Sequence, residues 1–204
     1  MSHNAKNNNS LEIRVATRKD IRFAEEVCLM LERSAQSRGT GIARRSPEYI
    51  RNKIREGKAV IAVRGDTLAG FCYIETWEHG KYVANSGLIV SESFRGTGVG
   101  KRIKEAVFRL SRKMFPRAKI FSITTSAAVL RINSKLGYRP VSFAQLTDED
   151  EFWEGCKTCV NYDVLKRTER QLCLCTGMLF DPHEETDLKK KESHHEKKES
   201  RISL

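Results

Sequence analysis

The chain has 204 residues, with 39% hydrophobic and 31% charged content, and its formal net charge is +11 at pH 7. This length suits one compact domain with smaller additions, and no apolar run reaches the roughly 20 residues that span a bilayer. Residues 1–10 are polar and rich in Asn, unlike a secretion signal, so we expect a cytoplasmic protein. The positive charge indicates a polyanionic partner such as nucleic acid, an anionic membrane surface or a phosphorylated cofactor.

The spacing of apolar residues predicts helices and strands in a defined order. Helical spacing predicts four helices, over residues 21–31, 47–56, 101–114 and 129–136. Shorter β-type runs predict five strands, over residues 59–64, 68–77, 82–90 and 119–125 and within 138–143. Because helices and strands are interleaved, we expect an α/β (α+β) sandwich around one mixed central sheet.

A glycine-rich turn follows the strand that ends at Val90. Residues Arg95 to Gly100 read Arg-Gly-Thr-Gly-Val-Gly and open a helix. Glycines let the backbone approach a ligand closely, and the free N–H groups of a first helical turn attract phosphate. The loop lacks the Gly-Lys-Ser/Thr ending of a P-loop, and residues 116–125 lack the acidic residue of a dinucleotide fold. A different phosphate-bearing ligand is predicted, with a simple tight connection as the alternative.

Two linked motifs resemble those of the GCN5-related N-acetyltransferase (GNAT) superfamily. Val90, a four-residue spacer and Arg95 to Gly100 match its Arg/Gln-x-x-Gly-x-Gly/Ala signature, and Lys135 to Tyr138 match its Lys-Leu-Gly-Phe/Tyr helix end. The resemblance covers residues 11–143 and implies a GNAT-like sheet flanked by helices and an acyl-coenzyme A-dependent N-acyltransferase. It also implies that acetyl-CoA or another acyl-CoA is bound by the backbone of Leu88 and Val90, along its pantetheine arm, and by six pyrophosphate-binding residues: Arg95, Gly96, Thr97, Gly98, Val99 and Gly100.

Acyl transfer needs a proton donor for the leaving thiolate and a base for the amine. Members of the superfamily often place a Tyr as the acid where this chain has Asn133, which can bind the coenzyme but donates no proton at neutral pH. Tyr138 and Tyr82 are the substitutes. For the base we choose Glu75 over Glu78 and His79, because Glu75 lies within an apolar strand, where the pKa of a carboxylate should be raised toward the working pH. The alternative is that each of the three is a solvated charge of the hairpin.

Two arginines lie in the loop between the first two predicted helices. Arg44 and Arg45 match the geometry of a carboxylate, so we predict that they bind an acidic substrate, with a surface basic loop as the alternative.

Four cysteines follow the predicted core in two close pairs, Cys156 with Cys159 and Cys173 with Cys175. Four thiolates with this spacing can form a structural zinc site, and iron–sulfur ligation is a second possibility. The alternative is that they serve as small buried hydrophobic residues.

Residues 152–182, together with 38–43, resemble a bacterial acyltransferase subgroup associated with arginine biosynthesis, which implies glutamate or a related amino acid as acceptor. Whether the acyl group is acetyl or succinyl is open. We expect a disordered segment at residues 1–10, the acyltransferase domain at 11–150, the Cys-rich extension at 151–183 and a disordered charged tail at 184–204.

Three other functions are compatible with parts of the sequence. The acceptor is a protein lysine or N-terminus in the first, and the chain is a non-catalytic acyl-CoA sensor in the second. The third, a metal-stabilised nucleic-acid-binding module, is disfavoured because no recognition helix and no aromatic run among basic residues is found.

Overall fold

The computed structural model describes residues 10–39 and 44–184. One seven-stranded sheet runs through this part of the chain, with strand order β1-β2-β3-β4-β5-β7-β6. The strands are β1 (Leu11–Val15), β2 (Ala59–Arg64), β3 (Thr67–Trp77), β4 (Tyr82–Val90), β5 (Lys119–Thr124), β6 (Arg139–Val141) and β7 (Thr176–Phe180). All neighbouring strands are antiparallel except β4 and β5, which are parallel.

Six α-helices surround the sheet in the described ranges: α1 (Ala24–Arg38), α2 (Pro47–Arg55), α3 (Val99–Met114), α4 (Ala127–Lys135), α5 (Asp150–Glu154) and α6 (Tyr162–Arg167). Local chemistry fixes several of their ends. Ser46 caps α2 by accepting a hydrogen bond from the Tyr49 amide, and Pro47 occupies the first helical position. Gly98 begins α3 with a φ of 82°, a left-handed conformation that glycine adopts without strain.

The structure confirms the mixed α/β fold and adds two strands that the sequence did not predict. One of them, β1, is a short edge strand paired only with β2. The other, β7, lies between β5 and β6 and is antiparallel to both. Because β7 belongs to residues 151–183, the predicted Cys-rich extension supplies part of the central sheet. Residues 1–9, 40–43 and 185–204, which include most of the predicted disordered termini, lie outside the described residues.

Side chains pack on both faces of the sheet. On one face, Ile103 and Val107 of α3 pack against Val83 and Ile120. On the other face, Val27 of α1 and Ile50 of α2 pack against Ile61 and Phe71. A third cluster joins the two small helices α5 and α6 to the sheet through Trp153 and Leu165.

The parallel pairing of β4 and β5 is short, and this opens the middle of the sheet. It runs only from Tyr82 to Ala84 of β4, and no further partner on the β5 side is found within the described part of the chain. A bulge on the other side of β4 places Gly87 against the Tyr73 ring, where an added Cβ would lie 2.3 Å from Cε1. Glycine is needed here, and the backbone of residues 85–90 is left with an open edge.

Within the described residues, no helix has both the length and the apolar character needed to cross a membrane.

Candidate active site

A cavity of about 180 Å³ lies where β4 and β5 separate. Its walls come from four parts of the fold: Tyr73 and Glu75 of β3, residues 84–88 of β4, Lys104 of α3 and Ser122 of β5. Arg45, which lies just before α2, forms another part of the wall. Residues of the α5–α6 region, which belong to the third core cluster, form the last part. The open edge of β4 therefore faces a partly open space that is lined by both polar and apolar atoms.

Arg45 and Glu75 form an ion pair in the wall of this cavity. Arg45 Nη2 lies 3.0 Å from Glu75 Oε1, and the two side chains are 19% and 4% exposed. Arg45 Nε donates to the Tyr73 hydroxyl at 2.9 Å, and the Tyr49 hydroxyl donates to the same Glu75 oxygen. Of the predicted site residues, Glu75 and Arg45 are thus brought together; Tyr49 and Tyr73 are partners that sequence reasoning missed.

The network fixes the charges of its members. Burial by itself would lower the pKa of Arg45, but Tyr73, Glu75 and Tyr49 raise it above its usual value. Burial raises the pKa of Tyr49, and the negative charge of Glu75 adds to the effect. The pKa of Tyr73 is raised by the same two causes. Both phenols therefore stay protonated around a charged guanidinium.

Arg44 points elsewhere, although it is adjacent to Arg45 in sequence. Its side chain is 75% exposed and lies 3.8 Å from Glu32 at the surface. It is not among the residues that line the cavity. The structure thus places Arg45 in the cavity wall and Arg44 at the surface, and substrate binding by either arginine stays a prediction.

The two other carboxylate and imidazole candidates lie away from the cavity. Glu78 accepts a hydrogen bond from the Asp148 amide at 3.1 Å and pairs with Lys81 Nζ at 3.0 Å. His79 is exposed in a turn with a φ of 54°. Both fit the description of hairpin charges.

The glycine-rich loop has the backbone form expected of an anion site. Gly96 and Gly98 have φ values of 78° and 82°, and a Cβ added to either would meet no atom within 4 Å. In the described part of the chain, the amides of residues 96–100 have no backbone acceptor outside the helix. Thr97 Oγ1 donates to the Phe94 carbonyl at 2.7 Å, and Arg95 Nε lies 3.4 Å from the Val90 carbonyl oxygen. These N–H groups are therefore free of backbone acceptors at the start of a helix, where an anion can bind.

The end of β4 presents its backbone toward the separated strands. Leu88 lines the cavity, and Val90 lies between it and the glycine-rich loop. An extended ligand can add to such an edge through main-chain hydrogen bonds.

Asn133 and Tyr138 do not reach the cavity. Asn133 is fully buried, its Nδ2 donates to Ser122 Oγ at 2.8 Å and its Oδ1 has no partner in the described structure. Tyr138 is 3% exposed, and its hydroxyl donates to Asn85 Oδ1 at 3.0 Å. Neither residue lines the cavity, and the contacts of Asn133 with the coenzyme and of Tyr138 with the reacting atoms stay predictions. Tyr82 is likewise packed in the core, against Phe121.

Lys104 is a cavity residue that the sequence analysis missed. It lies on the inner side of α3, is 1% exposed and is one of the largest fully buried side chains. Its Nζ lies 3.5 Å from Asn85 Oδ1 and 5.4 Å from the centre of the Tyr138 ring. The spacing could have indicated its burial, because Lys104 precedes Val107 by three residues and Ser111 by seven. These spacings place all three residues on the same face of the helix, and Val107 and Ser111 are buried.

The four predicted metal ligands also line the cavity wall. Burial raises the pKa of Cys156 to about 11, with contributions from Cys159 and Cys173. Burial raises the pKa of Cys175 to about 12, with contributions from all three other thiols. The four side chains therefore lie close enough to influence one another. Among the described residues, however, no group of three or more Cys, His, Asp or Glu side chains forms a ready metal site.

A model of the Acetyltransferase (GNAT) family matches residues 28–131, which is just over half of the chain and includes the whole glycine-rich loop. The chain belongs to the GNAT acetyltransferase family. It is accordingly an acyl-CoA-dependent N-acyltransferase, as the sequence motifs predicted. Among curated protein sequences, no significant match to this chain is found.

Solved structures show the same fold at low sequence identity. One match is N-acetylglutamate synthase from Neisseria gonorrhoeae, complexed with coenzyme A and N-acetyl-glutamate. The TM-score is 0.60 and the sequence identity is 18%, and the match covers 85% of this GNAT chain and 35% of that protein. Diaminobutyrate acetyltransferase EctA from Paenibacillus lautus, in complex with L-2,4-diaminobutyric acid and coenzyme A, matches with a TM-score of 0.57 and 11% identity over 85% and 96%. This chain spans about a third of the length of the two N-acetylglutamate synthase structures that it matches.

Proposed function

We propose that this acyltransferase moves an acetyl or succinyl group from acyl-CoA to the amino group of a small amino acid, with glutamate as the first candidate. The observation that carries the proposal is the ion pair of Arg45 with Glu75 in the wall of the cavity beside the open edge of β4. A buried pair of opposite charges matches a zwitterion, which carries both an ammonium and a carboxylate group.

Each member of the pair retains bonding capacity for a substrate. Arg45 Nη1 makes only a long hydrogen bond of 3.4 Å, to the Arg44 carbonyl, so its donors are free to bind a carboxylate. Glu75 receives both of its hydrogen bonds on Oε1, and Oε2 has no partner among the described residues. In the proposal, Oε2 accepts the amino group of the acceptor and takes its proton when the nitrogen attacks.

The coenzyme is assigned to the open edge of β4 and to the glycine-rich loop. The backbone of Leu88 and Val90 would bond the pantetheine arm as an added strand does, which the missing partner on the β5 side supports. The amides of Gly96, Thr97, Gly98, Val99 and Gly100 would hold the pyrophosphate, which their free N–H groups support, and Arg95, whose own amide donates to the Glu92 carbonyl at 3.2 Å, would add positive charge. The thioester then lies near the start of the separation, where β4 borders the cavity.

An acidic acceptor is supported by two further observations. The segment 152–182 resembles an acyltransferase subgroup associated with arginine biosynthesis, and a structure that shares the fold contains N-acetyl-glutamate. A positively charged Arg45 suits a substrate carboxylate.

We further infer that Cys156, Cys159, Cys173 and Cys175 hold a structural metal, with zinc as the first choice and an iron–sulfur cluster as the alternative. The presence of all four side chains in the wall of one cavity supports this, because four thiolates are a ligand set that zinc prefers. The side chains would have to approach one another further, since no ready site exists within the described residues.

The proposed function is tested by thiol release. Acetyl-CoA and succinyl-CoA are each incubated with glutamate, ornithine, 2,4-diaminobutyrate and a lysine-containing peptide, on protein purified without chelator. Turnover with a free acidic amino acid supports the proposal. Turnover with the peptide alone contradicts it and favours a protein acceptor, and coenzyme binding without any turnover favours an acyl-CoA sensor.

A further inference from the structure

Acyl transfer needs a proton for the leaving sulfur, and the residues expected to supply it are out of reach. Tyr138 and Tyr82 are buried outside the cavity. The Tyr49 hydroxyl donates its proton to Glu75, and Tyr73, whose hydroxyl accepts from Arg45, is a weakened acid because burial and Glu75 raise its pKa. The acid must therefore be sought among the remaining groups of the cavity wall.

Lys104 is the cationic side chain on the coenzyme side of this wall. Its Nζ lies 3.5 Å from Oδ1 of Asn85, the first residue of β4 after the pairing with β5 ends. Helix α3 begins at the glycine-rich loop, where the pyrophosphate is proposed to bind. Lys104 follows about one and a half turns later on the same helix. A coenzyme that runs from the loop along β4 brings its sulfur toward Asn85.

We propose that the Lys104 ammonium donates the proton that the coenzyme A sulfur takes up as it leaves. This inference rests on the proposed function. The acceptor ammonium first loses one proton to solvent, and the resulting amine nitrogen forms a bond to the thioester carbon and gives a second proton to Glu75. The carbon–sulfur bond then breaks with its electron pair on sulfur, and Lys104 protonates that sulfur to give the free thiol. Exchange with solvent returns the proton to Lys104 and removes the one on Glu75.

The surroundings of Lys104 suit an acid rather than a permanent ion-pair partner. Burial lowers its pKa to about 8, so the group is still protonated near neutral pH and gives up its proton readily. The groups that face it are Asn85 of β4, the Tyr138 ring and Cys72 of β3, whose own pKa burial raises to about 11. Among the described residues, no carboxylate forms an ion pair with Lys104.

A purely structural role accounts poorly for this residue. Burying an ammonium group without a carboxylate costs free energy that an apolar side chain of similar length would not. The neighbouring positions on the inner side of α3, Ile103 and Val107, are apolar and pack in the core. Asn85 also has other partners, because it donates to Ser111 Oγ at 2.8 Å and accepts from Tyr138.

The first experiment measures contact between Lys104 and sulfur without requiring turnover. Coenzyme A is bound to the wild type, to Lys104→Met and to Lys101→Met, and its thiol is titrated by the ultraviolet absorbance of the thiolate, with desulfo-coenzyme A as blank. Lys101 is the matched control, because it lies exposed on the same helix and pairs with Glu105. We expect the bound thiol to deprotonate at a pH about one to three units higher in Lys104→Met than in the other two proteins.

The second experiment uses turnover with the best acceptor. In Lys104→Met and in Lys104→Gln, which keeps a hydrogen-bond donor but no charge, kcat should fall about a hundredfold or more while coenzyme affinity stays within threefold. The fall of kcat/KM above about pH 8 in the wild type, where Lys104 loses its proton, should be absent from both variants. Thermal unfolding and coenzyme binding show that the variants are folded.

Equal thiol titrations in the wild type and Lys104→Met would overturn the proposal, as would a kcat within threefold of the wild type. A lower kcat with an unchanged thiol titration would also overturn it, since that result describes a structural role. If the wild type transfers no acyl group to any amine, the proposed function fails, and the thiol titration still decides whether Lys104 contacts the sulfur.

Discussion

Neighbouring arginines show how strongly position decides the role of a residue. Arg44 and Arg45 are identical in type, yet one is three-quarters exposed and the other is paired with Glu75 in the cavity. The sequence predicted that this segment contributes to the site and could not say which arginine does. That choice depends on how the segment before α2 packs against β3, which is a long-range contact.

Replacing Arg45 with Lys should weaken acceptor binding selectively. Lysine keeps the charge but loses the planar fork that binds Tyr73 and Glu75 together. We expect KM for the amino acid to rise about tenfold or more, with coenzyme affinity within threefold, as measured by steady-state kinetics and calorimetry. Arg44→Lys is the matched control and should change neither value. Equal effects of the two substitutions would contradict the assignment of Arg45.

The buried Lys104 should also leave a signature in stability. Its pKa is lowered to about 8 in the folded chain, so the folded state binds its proton less tightly than the unfolded state does. The resulting cost in stability is complete below about pH 8 and is lost as the pH rises toward the ordinary lysine value of about 10.4. Lys104→Met should therefore be more stable than the wild type at pH 7, and the difference should shrink by pH 10. Denaturant unfolding at the two pH values measures this difference in the free energy of unfolding. A variant less stable than the wild type at pH 7 would contradict the predicted destabilisation by the buried ammonium group.

At the scale of elements, the separation of β4 from β5 lies beside the same strand whose end leads into the loop before α3. The strand, the turn and the helix were predicted from local signals, because each has its own spacing or glycine pattern. The separation of the strands was not predicted from spacing. On its other side, β5 pairs with β7 from Ile120 to Thr124, and β7 itself is a short strand within a Cys-rich segment.

A side chain at Gly98 should block the coenzyme. Gly98→Val would place methyl groups in the space that faces the free amides of the loop, and its φ of 82° adds backbone strain. Gly57→Val is the matched control, because Gly57 has a φ of 68°, has no atom within 4 Å of an added Cβ and lies between α2 and β2. Both variants should lose about 1–2 kcal/mol of stability from the strained backbone. Only Gly98→Val should lose coenzyme affinity, by more than tenfold in a calorimetric titration. Unchanged affinity in folded Gly98→Val would remove the loop from the coenzyme site.

At the scale of the whole molecule, the four cysteines join parts of the chain that close the cavity. Cys156 and Cys159 lie between α5 and α6, and Cys173 and Cys175 immediately precede β7. The sequence predicted that the two pairs approach each other. It could not predict that the four cysteines lie in the wall of the cavity, because their position depends on the pairing of β7 with β5 and β6.

Metal analysis tests this link. Protein purified without chelator should contain about one metal ion per chain if the site is structural zinc, and chelation should lower Tm. Cys156→Ser and Cys175→Ser should lose the metal, whereas Cys28→Ser should keep it, since Cys28 lies on α1. Metal-free protein with an unchanged Tm after chelation would leave the cysteines as packing residues.

The central claim is that the pair of Arg45 and Glu75 recognises an amino acid by its ammonium and carboxylate groups. The most direct measurement compares kcat/KM for glutamate with kcat/KM for 4-aminobutyrate, which keeps an amino group and one carboxylate but lacks the α-carboxylate. We predict turnover of glutamate and a loss of at least a hundredfold for 4-aminobutyrate, equivalent to about 2.7 kcal/mol of binding in the transition state. Equal values for the two substrates would contradict recognition of the α-carboxylate by this pair.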